Sequence, residues 1–102
     1  MENNLYKKSR SIRKHTRRFI RGRSKNWSLI FGCSGDEMKK HLEKQFTDGM
    51  SWDNYGLHGW HIDHISPLSL STTLNDLLEK AHYTNLQPLW AKDNIKKSNK
   101  II

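Results

Sequence analysis

Two short, strand-like apolar runs near the C-terminus constrain the fold most. The run Trp60-His61-Ile62-Asp63-His64-Ile65 predicts a strand that Pro67 ends. The run Thr84-Asn85-Leu86-Gln87-Pro88-Leu89 predicts a second strand, closed by Pro88. Between them, Leu74, Leu77, Leu78 and Ala81 fall at helical spacing in residues 71–82, with Thr73 and Asp76 as a candidate cap pair. Residues 90–100 are polar and basic and predict a last helix. The order is therefore strand, inserted helix, strand, helix, which makes the expected class α+β.

The front half reads as helices and a loop. Residues 1–6 are expected to fray. Residues 9–21 lack Gly and Pro and carry Ile12, Phe19 and Ile20 at helical spacing, so a helix should end near Gly22. Residues 24–33 are a connector with a small apolar cluster. Ser34-Gly35-Asp36-Glu37 is a capping box for a helix running to about Phe46, with Met38, Leu42 and Phe46 on its buried stripe. Residues 47–59 contain three Gly and an Asp-Asn pair and predict a loop, pinned by Trp52 and Tyr55.

Length and composition set bounds. A chain of 102 residues makes one domain with a modest core. Four Trp, three Tyr and three Phe partly offset the low apolar content. The single Cys33 excludes an intramolecular disulfide and a Cys-rich zinc site. No apolar run reaches membrane-spanning length, and no apolar stretch follows the basic N-terminus as in a secretory signal. A soluble protein is expected, with no membrane partner, in the cytoplasm of a bacterium or phage-infected cell.

The charge is concentrated. Lys7, Lys8, Arg10, Arg13, Lys14, Arg17, Arg18, Arg21, Arg23 and Lys25 stand against one acid, Glu2, before residue 26. The rest of the chain is close to neutral, so the net charge of +8 resides in the first quarter. Such a block predicts a polyanionic partner, with nucleic acid first. A solvated tail is the plain alternative. A membrane-surface helix is disfavoured because only Ile12, Phe19 and Ile20 offer an apolar face. Residues 1–26 are expected to be a nucleic-acid-binding segment and residues 27–102 the catalytic domain.

The Asp63-His64 pair, Asn85 and Asn94 are a set of parts for cutting a phosphodiester. Imidazole is a suitable base because its pKa lies near neutrality. A hard cation takes oxygen ligands, and an Asp carboxylate and an Asn carbonyl each supply one. Asn85 does no acid–base chemistry, so its expected task is to bond backbone and hold the base in place. Taken singly, each residue has an ordinary reading as a surface carboxylate, a packed histidine, a turn or a helix start. His58 and His61 leave a zinc cluster open. His61 and His82 are candidate cleft residues, with packing beside Trp60 and Tyr83 equally open.

Residues 60–100 resemble the HNH nuclease motif, a ββα-metal finger found in colicin nucleases, phage and homing endonucleases and RNA-guided nucleases. Asp63-His64 match its first element, Asn85 its middle Asn and Asn94 its last position, where His is common and Asn a variant. The likeness extends through Gly32-Cys33-Ser34, Gly49-Met50-Ser51-Trp52 and Tyr83-Thr84-Asn85-Leu86-Gln87-Pro88-Leu89-Trp90 to a phage- and virus-borne branch with a basic N-terminal helix. It implies a ββα finger preceded by helices, and a DNA endonuclease with His64 as base. It further implies one divalent metal ion, Mg²⁺ with Mn²⁺ able to substitute, held by Asp63 and Asn94. Without Cys pairs, no structural zinc is expected. Duplex DNA would be gripped by the basic block together with Lys92, Lys96 and Lys97. A homodimer or a larger phage assembly is the expected higher-order partner. A ribonuclease, or a binding module without catalysis, is the alternative.

Overall fold

The computed structural model describes residues 3–97, and within them the chain is an α+β domain. Helix α1 spans Asn3–Ile20, α2 Ser28–Phe31, α3 Gly35–Glu43, α4 Leu74–Lys80 and α5 Ala91–Lys97. Strands β1 (Trp60–His64) and β2 (Leu86–Trp90) form a two-stranded antiparallel sheet. The part of the last predicted helix beyond Lys97 lies outside the described residues.

Helix α1 begins earlier than expected, so Asn3–Tyr6 are helical. Its buried stripe is Leu5, Ser9, Ile12, Thr16, Phe19 and Ile20. Two members are polar and are satisfied within the helix: Ser9 Oγ donates to Tyr6 O at 2.8 Å and Thr16 Oγ1 to Ile12 O at 2.7 Å. Those hydroxyls hid the full length of the stripe from a reading of apolar positions alone. Gly22, at φ 78°, ends the helix in the left-handed conformation that glycine adopts without strain.

Helix α1 belongs to the same core as the rest of the chain. Phe19 and Ile20 pack with Phe31, Cys33, Met38, Leu42 and Leu86. Leu5 and Ile12 pack with Leu68, Leu77 and Ala81, and Trp27 and Ile30 touch both clusters. The core therefore runs across the expected boundary at residue 26, and the basic helix is not a separate unit.

Local chemistry sets the other elements. Glu37 N donates to Ser34 Oγ and Ser34 N to Glu37 Oε1, both at 3.1 Å, closing the expected capping box of α3. Thr73 Oγ1 accepts from Asp76 N at 3.1 Å and starts α4. Trp52 and Tyr55 pin the loop before β1 by packing on Trp60, with ring centroids 5.2 and 4.7 Å away.

Strand β2 departs from expectation, starting at Leu86 and continuing through Pro88 to Trp90. The register explains why Pro88 is tolerated. Ile65 N donates to Asn85 O and Ala91 N to Gly59 O, so hydrogen-bonded pairs fall on odd-numbered residues. Pro88 sits opposite Ile62 at a non-bonded position, where a missing N–H costs no ladder bond. Thr84 and Asn85, expected to open the strand, instead belong to a 3₁₀ turn over Tyr83–Asn85.

Candidate active site

A cleft of about 870 Å³ lies between α1 and β1. His61, Ile62, Asp63 and His64 line it from the strand, Asn94 and Lys97 from α5, Arg13, Thr16, Arg17 and Arg21 from α1 and its end, and Tyr55, Gly56 and Leu57 from the loop. Three of the four residues expected to do chemistry, Asp63, His64 and Asn94, thus share one cavity.

His64 is buried, and its Nε2 has no hydrogen-bond partner among the described residues. Burial pushes its pKa down to about 4, and the charges of Arg13 and Lys97 push the same way. The ring is therefore neutral at pH 7. An unpaired buried nitrogen is costly, and most such groups find partners.

Asp63 is buried and held on both oxygens. Lys97 Nζ lies 3.3 Å from Oδ1 and 3.0 Å from Oδ2, and Gln87 Nε2 donates to Oδ2 at 2.9 Å. Gln87 is the residue directly opposite Asp63 in the sheet register. Lys97 also donates to His64 O at 2.7 Å and is fully buried. This corrects the expectation that Lys97 grips a nucleic-acid backbone: its ammonium is spent inside the protein. Lys92 and Lys96 are exposed on α5 and do not line the cleft.

His61 and Asn94 are joined. His61 Nε2 lies 3.1 Å from Leu57 O, an acceptor, so that nitrogen carries the proton. Nδ1 then accepts from Asn94 Nδ2 at 2.9 Å. This assignment leaves Asn94 Oδ1 with no bond among the described residues.

Asn85 stands behind the cleft. Its Oδ1 accepts from Ser66 N at 2.9 Å, and its Nδ2 donates to Ser66 O at 3.0 Å and Lys80 O at 2.8 Å. It ties the end of α4 to the turn that follows His64. His82, a candidate cleft residue, is elsewhere. Its ring packs against Gly32, where any Cβ would collide with it, and Nδ1 lies 2.8 Å from Thr84 Oγ1.

The oxygens in this cleft that could hold a divalent ion are those of Asp63 and Asn94. A carboxylate offers about four lone-pair directions, so Asp63 retains capacity beside Lys97 and Gln87. Asn94 presents a carbonyl oxygen while its N–H is engaged. Among the described residues no three His, Cys, Asp or Glu side chains gather as a metal site. Reasoning from sequence missed Gln87 and Tyr55, and it gave Lys97 a different role from the one its buried contacts show. Gln87 was findable from strand register, directly opposite Asp63.

Comparison with known proteins finds viral relatives. The chain is 32% identical over 111 residues to an uncharacterized protein of Acanthamoeba polyphaga mimivirus, covering 95% of this chain and 49% of that protein. A second uncharacterized protein of the same virus is 32% identical over 81 residues, covering 78% of this chain and 35% of its own length. The chain thus spans half or less of the curated relatives it matches. No family model matches it. No solved structure matches it. Among the described residues no helix is long and apolar enough to cross a membrane.

Proposed function

We propose that this chain is a metal-dependent nuclease of the HNH kind, hydrolysing phosphodiester bonds of DNA in the cleft between α1 and β1. The observation that carries the reading is that His64, Asp63 and Asn94 line one cavity walled by arginines. Elements β1, β2 and α5 would then be the ββα finger, although the motif's strands are here linked through α4.

In this mechanism, neutral His64 accepts a proton from the attacking water in the cleft. Burial, helped by the charges of Arg13 and Lys97, keeps this imidazole unprotonated and free to accept. Asp63 and Asn94 Oδ1 would hold one divalent ion, Mg²⁺ or Mn²⁺, which when bound stabilises negative charge on the phosphate and leaving oxygen. His61 keeps the Asn94 amide turned so that its oxygen is available. Asn85 fixes the Ser66 turn and thereby the backbone that carries His64.

Cleavage of supercoiled plasmid tests the reading, with Mg²⁺ or Mn²⁺ against EDTA and a structured RNA alongside. Nicked plasmid only with metal is the expected result. Cleavage of RNA alone would replace the substrate. Binding without cleavage under any metal would favour the non-catalytic alternative.

A further inference from the structure

The ten basic residues of the first quarter are not equivalent. Arg13, Arg17 and Arg21 recur every four residues, so they project from one side of α1 and its end, and all three line the cleft. The remaining seven do not line it. Arg13 lies at the His64 end, close enough for its charge to act on that imidazole. Arg17 and Arg21 act on the Tyr55 hydroxyl, whose pKa burial raises and these two charges oppose. None of the three is ion-paired among the described residues, where the ion pairs are Lys80–Asp76 and Lys97–Asp63. The one carboxylate in the cavity, Asp63, is already taken by Lys97.

Three like charges along one wall repel each other unless a ligand supplies the counter-charge. Four residues of helix advance about 6 Å, close to the separation of successive phosphates along a nucleic-acid strand. A single small anion would meet only one of these guanidiniums. A polymer with regularly spaced anionic groups meets all three, and guanidinium suits phosphate because it donates in pairs.

We infer that Arg13, Arg17 and Arg21 form a strand-binding track that holds three consecutive phosphates of one nucleic-acid strand. The phosphate at Arg13 lies beside His64, and the strand runs along α1 toward Gly22. This rests on the nuclease reading for the identity of the reacting phosphate, while the track itself is a statement about binding.

The test is fluorescence anisotropy in EDTA, where no cleavage occurs. The probes are a fluorescein-labelled twelve-base-pair DNA duplex and the RNA of the same sequence. Two triple variants are compared with the wild type: Arg13→Gln/Arg17→Gln/Arg21→Gln, and Lys7→Gln/Lys8→Gln/Lys14→Gln outside the cleft. All six positions are exposed, and circular dichroism verifies that both variants fold. Each lost phosphate contact lowers the log–log salt slope by about 0.9 on duplex DNA. The cleft triple should therefore lose about 2.7 of slope and the outer triple less than one. Each single cleft variant should weaken binding about eightfold at 0.1 M salt, from the same slope extrapolated to 1 M. Equal loss in both triples, or a larger loss in the outer one, overturns the track. The DNA and RNA arms identify which backbone it holds. A wild type that binds through the track but never cuts leaves the track standing and sinks the nuclease. A wild type that cuts while the cleft triple keeps its salt slope does the reverse.

Discussion

His64 is held neutral by burial and by the positive charges of Arg13 and Lys97. Its folded pKa of about 4 lies below the ordinary 6.5. The unfolded chain therefore binds an extra proton between those values, and stability falls as pH drops. The contribution is complete above pH 6.5 and lost as pH approaches 4, and it amounts to roughly 3 kcal/mol. In EDTA, His64→Gln should lose less stability than the wild type between pH 7 and 4.5 in urea melts. Parallel losses in the two proteins would mean that His64 is not buried as a neutral base. Asp63 calls for a conservative change, because Asp63→Ala strands the buried Lys97 charge. Asp63→Asn and Asn94→Ala should each weaken Mn²⁺ binding by calorimetry at one shared site, whereas Asn94→Asp should retain it. Unchanged Mn²⁺ binding in both of the first two variants would remove these residues as ligands.

At the scale of elements, the sheet and the caps were the most legible features. The capping box at Ser34 and the cap at Thr73 depend on neighbours three residues apart, and such chemistry is written locally. Strand β1 was legible for the same reason. Strand β2 was misjudged because Pro88 reads as a terminator until the register shows its ring at a non-bonded position. The site was half legible: Asp63, His64 and Asn94 share a cleft, but His82 faces Gly32 and Lys97 is buried under β1. Nothing local distinguishes Lys97 from Lys96, because only the packing of α5 on β1 decides which ammonium reaches Asp63. That contact couples the two elements. Removing one partner of a buried pair typically costs about 3–5 kcal/mol, so Lys97→Met should destabilise by that order in denaturant melts. A loss below about 1 kcal/mol would show that the pair does not hold α5 in place.

For the whole molecule, α1 joins two tasks that looked separable. One stripe supplies Leu5, Ile12, Phe19 and Ile20 to both core clusters, while Arg13, Arg17 and Arg21 line the cleft. Charge dominates the reading of residues 7–25, and the few apolar positions among them give little sign that they close the core. Deleting residues 1–25 should therefore unfold the protein rather than merely weaken binding, since a domain of this size has little core to spare. Circular dichroism and a thermal melt check this. A truncated protein with a cooperative melt near that of the full chain would restore the basic segment as a separate unit.

The central claim is that the cleft is a catalytic site in which His64 takes the proton. Single-turnover plasmid cleavage by His64→Ala in Mg²⁺, with DNA affinity measured on the same preparation, tests it most directly. The account predicts a rate lower by roughly 10²–10⁴-fold, the usual cost of losing a general base, with affinity within a factor of two or so of the wild type. Cleavage at the wild-type rate by a folded His64→Ala protein would contradict it.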